Sequence, residues 1–239
     1  MKVTLRIQRY NPETDTMPHF KSYPIQVEPT DRVLDGLVYV KSFIDGSLAF
    51  RRSCGHGVCG SDAVVINGKE RLACKTLFSE VAPVNGDVVT VEPLKHYALQ
   101  RDLMVDQTKF FENYRAIKPF FMTENATPEK EWIQSPEERE VFDDETNCIL
   151  CGACYSVCPV LDENEKYIGP AAIVQASRFI NDSRDQGFKA RLPILNDANG
   201  VWPCDSHFSC TQVCPRDIKI TKAINLMKRK ITKHMESNA

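Results

Sequence analysis

Val3, Leu5 and Ile7 alternate with polar neighbours, and Tyr23, Ile25 and Val27 repeat the period of two. That period puts every second side chain on one face, so both stretches are predicted to be half-buried strands. Between Thr30 and Asp45 the period lengthens: Val33, Leu37, Val40 and Ile44 recur at helical spacing, with Thr30 as the predicted N-cap. Val64-Val65-Ile66, Asn67-Gly68 and Arg71-Leu72-Ala73 read as a hairpin, because Asn-Gly accepts the positive φ of a tight turn. Val88 to Val91 closes the set of strands. The first hundred or so residues are thus predicted to form a small β-rich domain with one helix.

The remainder reads as helical. Ser135-Pro136-Glu137-Glu138 carries an N-cap, a first-turn proline and a glutamate three residues past the cap. Gly169-Pro170 opens a second helix containing Ala172, Val174, Ala176 and Phe179. A third, from about Lys219 to Met235, has Ala223, Ile224, Met227 and Ile231 on one side. Its other side carries Lys222, Arg229, Lys230 and Lys233, a solvated face or a docking surface for a partner or anionic lipid head groups. Thr123 to Gln134 is polar and aperiodic, and is predicted to be a surface loop.

At 239 residues the chain has room for two domains. Hydrophobic residues make up 42% of it, yet no apolar run approaches membrane-spanning length. Thirty Lys and Arg balance 32 Asp and Glu, so no global field points to nucleic acid. The two later cysteine runs are the one internal repeat.

Ten cysteines change the picture most. Cys148-Ile-Leu-Cys151-Gly-Ala-Cys154-Tyr-Ser-Val-Cys158-Pro159 is the C-x₂-C-x₂-C-x₃-C-P run of bacterial ferredoxins without deviation. Cys54, Cys59, Asp62 and Cys74 fit the plant-type [2Fe–2S] spacing, with aspartate at the third position. A carboxylate is anionic and ligates iron, as a harder donor than thiolate. The competing reading makes Asp62 a surface turn residue, with Ser61 or water as fourth ligand. The third group, Cys204-x₂-His207-x₂-Cys210-x₃-Cys214-Pro215, lacks its second cysteine.

In two-cluster ferredoxins the fourth cysteine of each run serves the other cluster. That rule assigns Cys148, Cys151, Cys154 and Cys214 to a [4Fe–4S] cluster. It leaves Cys158, Cys204 and Cys210 for a [3Fe–4S] cluster, with His207 either filling space over the empty corner or holding a fourth iron. Disulfides fit poorly, since Met1 runs within three residues into a strand pattern with no signal peptide. Zinc explains paired C-x₂-C units but not a four-cysteine run ending in Cys-Pro. The chain therefore reads as an electron carrier.

Strand pair, helix, cluster loop and further strands resemble the β-grasp fold of plant-type ferredoxins. Joined to a two-cluster helical half, they resemble the iron–sulfur subunit of succinate dehydrogenase and fumarate reductase. Arg9-Tyr10-Asn11-Pro12, Arg52-Ser53-Cys54, Cys59-Gly60-Ser61 and Leu72-Ala73-Cys74-Lys75 are similar to that family's signatures. So are Arg101-Asp102-Leu103, Ile168-Gly169-Pro170-Ala171-Ala172 and Asp182-Ser183-Arg184-Asp185. Some family members carry aspartate at the Asp62 position. The implied fold is α+β: a β-grasp [2Fe–2S] domain over 1–105, then a mainly helical [4Fe–4S]/[3Fe–4S] domain over 106–239.

The resemblance implies a subunit of a succinate dehydrogenase, or of a quinol:fumarate reductase running in reverse. Electrons would pass from FAD in a flavoprotein subunit through three clusters to a quinone in membrane anchor subunits, which in the family can carry haem. It implies a peripheral protein on the cytoplasmic face of a prokaryotic inner membrane. Pro159, Asp205, Asn225 and Lys228 occupy positions that border the quinone in family members. Asp205 and the stretch 160–163 depart from several ubiquinone-using members. A soluble ferredoxin-type carrier, or a cluster subunit of another oxidoreductase, are the competing classes; a carrier needs only one half of this chain.

Overall fold

A computed structural model describes residues 1–124 and 128–237. Residues 125–127, inside the predicted surface loop, lie outside the described residues. The strands are β1 (Lys2–Arg9), β2 (His19–Gln26), β3 (Ala63–Ile66), β4 (Lys69–Leu72), β5 (Val88–Glu92), β6 (Ala98–Arg101) and β7 (Met104–Asp106). The helices are α1 (Val33–Tyr39), α2 (Phe78–Val81), α3 (Thr108–Ala116), α4 (Pro136–Glu140), α5 (Asp143–Thr146) and α6 (Ala153–Ser156). They continue with α7 (Val160–Glu163), α8 (Pro170–Ile180), α9 (Phe188–Leu195), α10 (Ser209–Gln212) and α11 (Ile220–Glu236). The chain groups into two units: Met1–Gln107 with Ile149–Val157, and Thr108–Cys148 with Cys158–Ala239.

In the first unit five strands form one sheet in the order β2-β1-β5-β3-β4. β1 pairs parallel with β5, and the other pairs are antiparallel. The predicted alternation is borne out: Val3, Leu5 and Ile7 point into the core with Val89, Val91, Leu37 and Phe78. Helix α1 lies close on the sheet because Gly36 has no side chain; a Cβ there would meet the Phe78 ring at 2.8 Å. The Asn67-Gly68 turn joins β3 to β4 with both residues at positive φ.

The predicted helix over Thr30–Asp45 differs in two respects. Its N-cap is Arg32, not Thr30, and the Arg32 N–H donates to Asp35 Oδ2 at 2.9 Å. After Tyr39 the chain widens into a π-helical turn, Val40–Ile44, which rotates Ile44 off the apolar stripe and leaves it exposed.

A buried charge cluster closes this unit. Arg9 Nε donates to Asp102 Oδ1 at 3.0 Å, and its Nη1 reaches Asp45 Oδ2 at 2.8 Å and the Tyr23 hydroxyl. Asp102 also accepts from the N–H groups of Tyr10 at 2.9 Å and Ala49 at 2.7 Å. Two of the sequence signatures thus meet in one structural knot. Lys21, Ser47 and Arg9 hold the Asp45 carboxyl well below the usual carboxylate range.

In the second unit α8 packs against α11, with Ala172, Ile173 and Val174 buried on one and Ala223, Ile224, Met227 and Ile231 on the other. The Ser135 capping box forms: its Oγ accepts from Glu138 N–H at 3.2 Å, and Glu138 Oε2 accepts from Ser135 N–H at 2.8 Å. On α11, Lys222, Arg229, Lys230 and Lys233 are all exposed, and Lys230 folds its Nζ back to donate to Ile180 O at 3.0 Å and Asn181 Oδ1 at 3.2 Å. Burial lowers the pKa of Lys230. Among the described residues no helix is long and apolar enough to cross a membrane.

Candidate cluster-binding sites

The first site lies within the first unit, on the loop between the π-helical turn and β3. Gly55, Gly57 and Gly60 take positive φ, so the loop coils tightly enough to aim backbone N–H groups at sulfur. Cys54 Sγ accepts from the N–H groups of His56 and Cys59, each at 3.3 Å. Cys59 Sγ accepts from Cys54 N–H at 3.4 Å, and Cys74 Sγ from Gly57 N–H at 3.2 Å. The donors from His56, Cys59 and Val58 lower the Cys54 thiol to about 6. Burial, and then the Asp62 carboxylate, push Cys74 up to about 12.

Asp62 is 4% exposed, which removes the reading of a surface turn residue. Its Oδ2 accepts from Cys74 N–H at 2.6 Å, while its buried Oδ1 has no hydrogen-bond partner among the described residues. Ser61 Oγ lies 3.2 Å from Cys59 Sγ. Three sulfurs with N–H donors around them, and a buried carboxylate oxygen lacking a partner, fit a [2Fe–2S] cluster. An orphaned anionic oxygen is costly to bury unless something cationic binds it.

The cysteine run of 148–158 enters the first unit at Ile149–Val157. Gly60 permits this: a Cβ there would fall 2.7 Å from Cys151 Cβ and 3.1 Å from Ile149 O. Ser156 Oγ donates to Glu70 Oε1 on β4 at 2.9 Å and accepts from Lys95 N–H at 2.8 Å, both buried or half-buried. The first cluster loop is therefore in direct contact with Cys151. Cys151 and Cys154 group with the first unit, Cys148 and Cys214 with the second.

Within the second unit, Cys158, Cys204, Cys210, His207, Tyr167 and Ile224 line one cavity. The three cysteines left over by the ferredoxin rule are thus brought together, with the histidine of the incomplete run beside them. Burial pushes Cys158 up to about 11 and raises Cys210 as well. Thiols so buried stay neutral unless a metal takes the thiolate, which suits them to ligation rather than to solution chemistry. Thr221 Oγ1 lies 3.6 Å from Cys210 Sγ, a contact with no prior signal in the sequence.

Of the quinone-site candidates, Asp205, Asn225 and Lys228 do not line this cavity. Pro159 lines it directly. Asn225 Nδ2 donates to Ser206 Oγ at 3.0 Å. Lys228 Nζ donates to Cys204 O at 2.5 Å and Trp202 O at 3.2 Å. Asp205 is exposed. Asn225 and Lys228 therefore brace the loop bearing Cys204 and His207, whatever else they do.

Residues 4–112 match the 2Fe-2S iron-sulfur cluster binding domain, and 145–218 the 4Fe-4S dicluster domain. The chain is 39% identical to the fumarate reductase iron-sulfur subunit of Escherichia coli O6:H1, over 92% of this chain and 89% of that one. It is 38% identical to the succinate dehydrogenase iron-sulfur subunit of Coxiella burnetii, over 98% and 99%. A chain of the Mycobacterium smegmatis Sdh1 complex superposes with a TM-score of 0.88 at 29% identity, covering 98% and 96%.

Proposed function

Because this chain belongs to the iron–sulfur subunits of succinate dehydrogenases and fumarate reductases, we propose that it serves succinate oxidation, relaying electrons from flavin to quinone. The chain is an electron-transfer subunit with [2Fe–2S] and [4Fe–4S] domains. Its proposed partners are an FAD flavoprotein and membrane anchor subunits carrying quinone, with or without haem. These would hold it on the cytoplasmic face of the membrane. Its two proposed domains are 1–105 and 106–239.

We assign Cys54, Cys59, Asp62 and Cys74 to [2Fe–2S], and Cys148, Cys151, Cys154 and Cys214 to [4Fe–4S]. Cys158, Cys204 and Cys210 are assigned to [3Fe–4S]. When bound, the clusters carry single electrons and so couple a two-electron flavin to a distant quinone. The protein's part is to fix and tune them. Backbone N–H groups around Cys54 stabilise negative charge on its sulfur. Gly60 keeps the first loop against Cys151, one of the residues assigned to the second cluster.

The observation that carries the reading is the meeting of Cys158, Cys204 and Cys210 at one cavity, together with similarity to succinate dehydrogenase iron-sulfur subunits over nearly the whole chain. The direction is tested on the purified complex with its own quinone pool. Succinate-driven quinone reduction should outpace quinol-driven fumarate reduction. The reverse ratio would assign fumarate reduction, which the Escherichia coli relative favours.

Lys228 tests the quinone end. An ammonium has three donors, and two are spent on Cys204 O and Trp202 O, which leaves one for a quinone oxygen. Lys228→Ala should lower quinone reduction by roughly tenfold to a hundredfold, the worth of a hydrogen bond from a charged donor. Succinate oxidation with an acceptor that draws from flavin should be spared. Since Lys228 also braces Cys204, the three-iron paramagnetic signal must be measured alongside. Parallel loss of signal and both activities would assign it to bracing alone.

A further inference from the structure

A side chain of ligand type other than cysteine lines the three-thiolate cavity, and it is His207. We propose that His207 makes the open corner of this cluster a metal-entry site, its imidazole holding a ferrous ion taken up on reduction. The inference rests on the three-iron reading above.

The register is the first support. His207 stands in Cys204-x₂-His207-x₂-Cys210-x₃-Cys214 where Cys151 stands in the complete run, so it is placed at the corner a four-iron cluster would fill. The cavity is the second, since His207 lines it together with Cys158, Cys204 and Cys210. The third is how the loop is held. Ser206 and Phe208, on either side of His207, both adopt left-handed backbone, at φ 61° and 63°. Such conformations are costly for side-chain-bearing residues and persist only where surroundings impose them. Here Asn225 grips Ser206, and Lys228 grips the Cys204 carbonyl.

The imidazole itself is available. Among the described residues no hydrogen bond or ion pair engages it. It is exposed, so a hydrated ion can reach it from solvent. Imidazole is a competent ligand for divalent iron and zinc. The step balances. A cluster reduced by one electron, [3Fe–4S]⁰, takes Fe²⁺ to give [4Fe–4S]²⁺; three iron–sulfide bonds and one iron–nitrogen bond form as the ion sheds water. Oxidation by one electron returns [3Fe–4S]⁺ and Fe²⁺. The relay itself supplies the electron, so ferrous iron and succinate together would exchange the terminal redox couple for another.

The test uses the purified complex under anaerobic conditions. Oxidised wild type should show the three-iron signal. After reduction, isotopically labelled ferrous iron is added and the excess is removed. The expected result is one labelled iron per chain, loss of the reduced three-iron signal, and an unchanged [2Fe–2S] signal. His207→Ala should bind this iron at least about tenfold more weakly, since even outer-shell partners are worth that much. His207→Cys should hold four irons in the oxidised state too. Equal uptake by wild type and His207→Ala would overturn the inference, as would no uptake by a wild type that shows the three-iron signal. A missing three-iron signal in oxidised wild type would overturn the cluster assignment itself, before any metal is added.

Discussion

Replacing Arg191 by methionine is expected to destabilise the second unit by about 3–5 kcal/mol, the usual cost of breaking a buried ion pair from one side. The Arg191 and Asp185 side chains are both 0% exposed and lie 2.6 Å apart. Every nitrogen of the guanidinium donates, Nη1 to Asp185 Oδ1 at 2.6 Å. Its Nε donates to Ile117 O at 3.1 Å, and Nη2 donates to Phe120 O at 2.7 Å, Lys118 O at 3.1 Å and Asp185 Oδ2 at 3.2 Å. The substitution leaves Asp185 charged and three carbonyls with fewer donors, in a place water does not reach. Urea unfolding of the full chain, followed by helical circular dichroism, measures the loss. Asp185→Leu combined with Arg191→Met should recover a substantial part of it, because no lone charge remains. A single-variant loss of only about 0.5 kcal/mol, that of an ordinary surface change, would refute the account.

This pair also shows what the sequence could and could not reveal. Asp182-Ser183-Arg184-Asp185 was legible as a family signature, but its roles were not. Asp182 pairs with Arg184 at 2.7 Å, and Asp185 with Arg191 on the next helix. Arg9 and Asp102 likewise lie in separate signatures 93 residues apart and act as one unit. Cysteine spacing is local, so the candidate ligands could be read directly; side-chain partnerships across the chain leave no such register. The same limit hid the membership of Ile149–Val157 in the first unit, which depends on Gly60 and on a Ser156–Glu70 bond spanning 86 residues.

Local structure failed where period gave no signal. β6, Ala98–Arg101, has only half-buried or exposed residues, so no alternation marked it. Helix α9 contains Pro193, a residue that ordinarily argues against a helix interior. The helix over 33–44 was visible, but its start was misplaced. Thr30 is a good cap by type, whereas the chain uses Asp35 to close the Arg32 N–H from inside the helix. Ile44 fitted a 3.6-residue period that the π-helical turn does not keep.

Asp62→Ala is expected to cost the [2Fe–2S] site its integrity, and the reason separates two roles for one carboxylate. Oδ2 holds Cys74 N–H at 2.6 Å, which fixes the backbone of a cysteine ligand. Oδ1 is buried and without a partner among the described residues, which leaves it free for the iron proposed above. Alanine removes both functions, leaving one iron short of an anionic ligand and a buried N–H unpaired, worth about 1–3 kcal/mol by itself. Asparagine separates them: its carbonyl oxygen can still accept from Cys74, but it brings no charge to iron. Asp62→Asn should therefore keep the fold of the loop while shifting the cluster's optical spectrum and reduction potential. Asp62→Cys should retain a cluster, because it restores the plant-type ligand set. Reductive titration followed by electron paramagnetic resonance reads all three variants. If Asp62→Asn leaves spectrum and potential as in wild type, Asp62 is a backbone clamp and another group completes the iron.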